Sequence, residues 1–172
     1  MARHLLGDRR LRRPFSSSRI LRDYMSERRE LKPPAGSGAS IIDGQLFRFL
    51  IEIEVRKAQR LRYCVSLVCI AANLPPPPSA PPLAEIIARH IRGTDAIAPW
   101  ASASLALLLV DAEVTSLPSI VRRLTKDLPI VWSAGGSGYP RPATGAEDLL
   151  RQATDLMLEA QKDGEAGLYL AT

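Results

Sequence analysis

At 172 residues, 46% of them hydrophobic, the chain is long enough for one compact domain with a real core plus a tail, and too short for two ordinary domains. The first 35 residues hold ten Lys/Arg against four acids, a charge of +6, which leaves −1 of the total +5 for the rest, so the basic character belongs to the tail. No apolar run approaches the ~18 residues that cross a membrane, and the Arg-rich start lacks the apolar core of a secretory signal. A cytoplasmic protein is the expectation.

Residues 1–40 mix Arg with Ser and Pro and close on Pro33-Pro34-Ala35-Gly36-Ser37-Gly38, a linker composition. Their sparse apolar residues support a short helix near 17–30 and nothing more. This segment reads as a mostly disordered basic arm. The alternatives for it are a solvated tail or a contact with acidic lipid or nucleic acid. No aromatic stacking pattern accompanies its charges.

The folded part is expected over 41–172. From Asp43 to Arg62 the apolar residues Leu46, Phe49, Leu50, Ile53 and Ala58 fall on one helical stripe. Tyr63 to Ala72 is a β-rich apolar run of central-strand length. Its cysteines, Cys64 and Cys69, stand an odd number of positions apart, on opposite faces of a strand, and read as small core thiols rather than a disulfide. Pro75–Pro82 can be neither helix nor central strand. A helix over 81–92 follows, opened by proline. Residues 95–100 and 104–110 predict a hairpin, 114–127 a helix, 130–133 the start of a strand, 145–162 a long helix and 167–171 a last strand. In the long helix Leu149, Leu150, Ala153, Leu156, Met157 and Ala160 are expected to face inward. The order predicts an α+β fold, a ferredoxin-like sheet with its helices on one face.

Several strings, in order, carry a resemblance. They are Leu50-Ile-Glu-Ile-Glu-Val-Arg to Arg60 followed by residues 65–72 (VSLVCIAA), then Leu83-Ala-Glu-Ile-Ile-Ala to Arg92-Gly-Thr-Asp95, then Ser133 to Pro140 (SAGGSGYP), then Glu147-Asp-Leu-Leu-Arg-Gln-Ala153 to Gly164. Together they resemble the GGDEF domains, the diguanylate cyclases and their inactive relatives. The resemblance implies a nucleotidyl-cyclase-like βααββαβ sheet with flanking helices.

It also implies where chemistry would sit. In active members the hairpin turn carries glycines and carboxylates that hold two metal ions and approach GTP. Here that turn reads Ala101-Ser102-Ala103-Ser104-Leu105. The first-strand metal carboxylates fall at Ala71 and Asn73, and the phosphate-neutralising lysine at Gln161. Neutral side chains of this kind do not hold Mg²⁺. No enzyme activity, no catalytic residue, no metal and no cofactor are expected.

A second site is implied as kept. Many members carry an RxxD motif ending five residues before the glycine pair, where the product cyclic di-GMP binds. Arg92-Gly-Thr-Asp95 is followed by five residues, Ala96 to Trp100, and then by Ala101. Arginine offers a planar fork to phosphate and a flat cation to a base, and Asp95 would accept from guanine. The helix after the hairpin would add Arg123, with Arg122 as helper. Set beside this is a local ion pair on a solvated face, worth about 0–1 kcal/mol.

The expected role is a non-catalytic cyclic di-GMP receptor that regulates an unidentified protein partner or its own self-association. The alternative is a ligand-independent protein-interaction scaffold of the same fold. Elsewhere His90 has no second ligand and reads as structural or exposed, and His4 has no partner in the sequence. Trp100 and Trp132 read as core. Gly135-Gly136-Ser137-Gly138 lacks the lysine of a phosphate loop.

Overall fold

The computed structural model describes residues 38–72, 82–101, 103–126, 128, 131–164 and 166–172. The basic arm with its helix near 17–30, the polyproline segment up to Pro81, and Asn73, Ser102 and Ile130 lie outside the described residues.

The first helix, α1 (Gly44–Leu61), starts where its sequence can cap it. The Asp43 carboxylate accepts the amides of Gln45 and Leu46 at 2.9 and 3.0 Å, satisfying two of the donors a helix start leaves open. It ends at Arg62, left-handed at φ 64, whose N–H returns to the Ala58 carbonyl. The buried stripe is Phe47, Ile51, Val55 and Ala58, so of the stripe read from the sequence only Ala58 is buried. Leu46 and Leu50 pack half-buried at its margin. The helix is apolar over a wide arc, and the sheet takes the neighbouring row.

The remaining elements are β1 (Ser40–Ile41), β2 (Val65–Ala72), α2 (Leu83–Ala88), β3 (Ala96–Pro99), β4 (Ser104–Val110), a 3₁₀ turn (Val114–Ser116), α3 (Leu117–Thr125), β5 (Trp132–Tyr139), α4 (Ala146–Asp163) and β6 (Gly167–Leu170). The sheet order is β1-β3-β4-β2-β5-β6. The centre is antiparallel (β3-β4, β4-β2, β2-β5), and the two outer strands run parallel to their neighbours.

The helices cover both faces of this sheet, which corrects the one-faced arrangement. On one face Val65, Leu67, Cys69 and Ala71 of β2 meet α1 and α4 through Phe47, Ile51, Leu149, Ala153 and Met157. On the other, Val68 and Ile70 meet α2 and α3 through Ile87, Leu117, Val121 and Leu124. Covering both faces explains why β2 and β4 are nearly continuous apolar runs, broken only by Ser66 and Ser104, rather than alternating ones. Each large aliphatic side chain so buried stabilises the fold by about 1.5–3 kcal/mol. Trp100 and Trp132, read as core, are only partly buried at its edge, and Leu156 is half-buried.

Gly135 sets how closely α4 lies on β5. A Cβ there would collide with the Ala153 carbonyl oxygen and the Met157 amide nitrogen, so helix backbone rests directly on strand backbone. Beside it Cys69 points at α4, its Sγ 3.7 Å from Thr154 Oγ1, and burial pushes its thiol up to about 12. Cys64 is half-buried, and both thiols are free. Among the described residues no helix is long and apolar enough to cross a membrane.

The helix expected over 81–92 is shorter, and its end is a matter of hydrogen-bond partners. The Ala88 carbonyl accepts the Ala39 N–H at 3.0 Å, and the Arg92 N–H, which would reach Ala88 in a continued helix, goes to Asp95 instead. Gly38 permits this, since a Cβ there would strike the Ala88 oxygen. Gly38 to Ile41 are thereby joined to the sheet edge, Ser40 and Ile41 pairing with Ala96 and Ile97.

Candidate functional site

The β3–β4 hairpin carries two places of interest, its tip and its root. At the tip the Trp100 N–H donates to the Ser104 carbonyl and the Ser104 N–H to the Ala101 carbonyl, both at 3.0 Å, while Ser104 Oγ donates to the same Ala101 oxygen at 3.1 Å. Ala103 holds a left-handed φ of 58, and its carbonyl accepts the Ala72 N–H at 3.1 Å. Ala71 is in register with Ser104 across the β2–β4 ladder. The fold thus gathers Ala71, Ala101, Ala103 and Ser104 at one end of the sheet. Gln161 lies in the last turn of α4.

On the α1 side of the tip lies an open cleft of about 690 Å³ between Asp43, Gly44 and Arg48, Trp100 and Ala101, and Thr154. The Arg48 guanidinium carbon stands 4.5 Å from the centroid of the Trp100 ring, and Phe47 meets the same ring at 6.2 Å, tilted by 56°. The sequence reading missed this contact. Its only signal was a cation next to Phe47 in the first turns of α1, and a residue about fifty positions away completes it.

At the root, Arg92-Gly93-Thr94-Asp95 is a closed turn. The Asp95 N–H donates to the Arg92 carbonyl at 3.0 Å, and Asp95 Oδ2 accepts the Arg92 N–H at 3.1 Å. Asp95 Oδ1 accepts the Val110 N–H, also at 3.1 Å, from the end of β4. The residue is 7% exposed. Burial raises the pKa of Asp95 above its ordinary value; against it work the amides of Val110 and Arg92, then the charges of Arg92 and Arg123.

Arg92, Arg122 and Arg123 are exposed, and none forms an ion pair with a described residue. The charges of Arg92 and Arg123 both favour the ionised Asp95, so Arg123 on α3 lies within electrostatic reach of the hairpin root. Arg122 is exposed on α3 and is not among the groups that act on Asp95. His90 is exposed just past the end of α2. The two amides that hold the Asp95 carboxylate were absent from the sequence reading. A tight turn with Gly93 inside it and Asp at its end was the available sign, since Asp side chains commonly bond the backbone of their own turn.

No protein-family model and no curated protein matches the sequence. Solved structures do match in fold. The GGDEF domain of TpbB (also called YfiN) from Pseudomonas aeruginosa superposes with a TM-score of 0.67 at 17% identity, over 78% of this chain and 92% of that one. The coiled coil and GGDEF domain of DgcB from Caulobacter crescentus, in complex with c-di-GMP, gives 0.65 at 10%, over 90% and 93%. The diguanylate cyclase SiaD of Pseudomonas aeruginosa, in complex with its activator SiaC, gives 0.64 at 14%, over 90% and 70%. Sheet order, helices on both faces and these superpositions agree: the chain has a GGDEF-like fold.

Proposed function

We propose that this chain is a non-catalytic receptor for cyclic di-GMP, which it binds through Arg92, Asp95 and Arg123 with Arg122 assisting, and that ligand binding regulates its association with a protein partner. The observation that carries the reading is the root of the hairpin. An RxxD turn is locked there in defined geometry, with two exposed guanidiniums, Arg92 and Arg123, acting on one buried carboxylate. Two exposed arginines that pair with no acid among the described residues suit a ligand with two phosphodiesters. The neutral hairpin tip, Ala71 beside Ser104, supports the absence of turnover, because joining two GTP molecules needs carboxylates for metal. The GGDEF fold supports the ligand class, as does the c-di-GMP complex of a structural neighbour, and a neighbour crystallised with an activator supports a protein partner.

The test is a calorimetric titration of cyclic di-GMP into the full chain, with Arg92→Ala as control. A dissociation constant of about 1 μM or tighter, lost in the variant, is the expected result. No heat and no thermal shift at about 100 μM ligand overturns the reading.

One observation favours the second reading, a ligand-independent scaffold. Two backbone amides on a buried Asp95 are what a purely structural residue would make. A scaffold ignores the nucleotide and captures its partner equally well with Arg92→Ala.

A further inference from the structure

The two long helices end on the same backbone geometry and differ in the residue that occupies it. Both close on a left-handed residue, Arg62 at φ 64 after α1 and Gly164 at φ 67 after α4. Glycine takes this conformation freely, whereas the Cβ of an arginine is crowded there and its backbone strain weighs against the fold. The Arg62 N–H returns to the Ala58 carbonyl, a bond glycine would make as well, so the cap does not call for the side chain. That side chain is exposed and forms no ion pair with a described acid, and the same holds for Arg60. One turn earlier Arg56 and Lys57 are also exposed, at 3.6 Å from Glu52 and 2.6 Å from Glu54 respectively. Asp111, just past β4, is a further acid on this side, within electrostatic reach of Tyr63. Among these cations stands Leu61, 67% exposed, the most exposed of the large apolar side chains described. Arg60 and Arg62 flank it in sequence, and Lys57 lies one turn before it on the same row of the helix.

We infer that the C-terminal end of α1, Arg60-Leu61-Arg62 with Lys57, docks on the surface of an anionic lipid bilayer. The cations meet the headgroup phosphates, and the leucine between them enters the boundary with the acyl chains. Nucleic acid would use the charges but gains nothing from an aliphatic side chain. The aromatic next in sequence, Tyr63, is half-buried with its hydroxyl on Glu54 at 2.7 Å, so it offers no platform for a base. None of these residues belongs to the hairpin root, so lipid binding and dinucleotide binding stand or fall separately.

The experiment is co-sedimentation of the full chain with vesicles of phosphatidylcholine, with and without about 30% phosphatidylglycerol, at about 150 mM salt. Binding to the anionic vesicles alone is expected. Arg60→Gln and Arg62→Gly should each weaken it about fivefold, the effect of one cation near a charged bilayer. Leu61→Ala should weaken it about tenfold or more through lost acyl contact. Arg62→Gly carries a second readout: relief of the left-handed strain should raise its unfolding midpoint while its lipid affinity falls, an opposition that a structural cap would not produce. Anionic vesicles that bind the unsubstituted chain and all three variants alike place the contact in the basic arm and overturn the inference. So does an Arg62→Gly variant that is less stable and binds as before. Absence of vesicle binding, or binding to a DNA duplex in its place that Leu61→Ala leaves unchanged, overturns it as well.

Discussion

Asp95 and Val110, fifteen residues apart, are joined by a 3.1 Å bond from the Val110 N–H to the Asp95 carboxylate. Through it the turn before β3 is tied to the last residue of β4, so the open end of the hairpin is clamped by one side chain. Asp95→Ala would take the acceptor from the part-buried amides of Val110 and Arg92. The cost of two such orphans is about 2–4 kcal/mol. Denaturant unfolding should show a fall of that size. A change below about 0.5 kcal/mol would mean that water replaces the carboxylate and that the clamp is dispensable.

Gly135 offers a second point where backbone meets backbone. The alanine Cβ at this position has no flexible neighbour to displace, since the atoms it would strike are the Ala153 oxygen and the Met157 nitrogen of α4. Either β5 or α4 must move. We expect Gly135→Ala to destabilise the chain by about 2–3 kcal/mol or more, as overpacking at a rigid contact does. Thermal unfolding of the variant checks this, and an unchanged midpoint would refute so close an approach.

The elements legible in the sequence were those whose signal is local. Apolar runs marked β2 and β4, the small-residue break between 100 and 104 marked the hairpin, and the 3.6-residue period marked α4. What escaped depended on partners distant in sequence. The rotation of α1 onto Phe47, Ile51 and Val55 depends on which part of a broad apolar arc the sheet covers. A two-residue strand, Ser40–Ile41, carries no period at all. The early end of α2 follows from the Ala39 amide taking the Ala88 carbonyl, a bond across forty-nine positions. At the site the motif Arg92-Gly-Thr-Asp95 and its neighbour Arg123 were readable. The inward turn of the Asp95 carboxylate was not, because its second acceptor bond comes from the end of β4.

Helix α4 begins with Gly145, which has no side chain to cap it, and Asp148 in its first turn reaches back to the residue before the cap. Its carboxylate accepts the Thr144 N–H at 3.0 Å, the Arg151 guanidinium at 2.5 Å and the Gln152 amide at 3.1 Å. The Thr144 amide first, then Arg151, holds its pKa below the ordinary 3.8. A carboxyl whose folded pKa is depressed contributes stability above its unfolded pKa and loses it as pH falls through the folded one. Asp148→Asn should therefore be less stable than the unsubstituted chain at about pH 6, with the difference closing toward about pH 2–3. Paired unfolding curves at the two pH values measure it. A difference that persists unchanged in acid would show that the asparagine harms packing rather than charge.

The hairpin tip keeps a left-handed residue without the glycine such a position favours. Ala103 holds φ 58 while its carbonyl accepts the Ala72 N–H, so the conformation is fixed by the end of β2 and cannot relax toward negative φ without losing that bond. An L-residue pays about 1–2 kcal/mol there, because Cβ crowds the carbonyl. Glycine removes the crowding but costs about 0.5–1 kcal/mol in unfolded-chain entropy. Ala103→Gly should then stabilise the chain by about 0.5–1 kcal/mol, and Ala103→Val, whose branched Cβ crowds the turn further, should destabilise it. Chemical denaturation of the pair decides the matter. If glycine lowers the midpoint, the turn has room for the alanine and the tip is no strained remnant. If it raises the midpoint, the positive φ is set by the sheet rather than by the residue that occupies it.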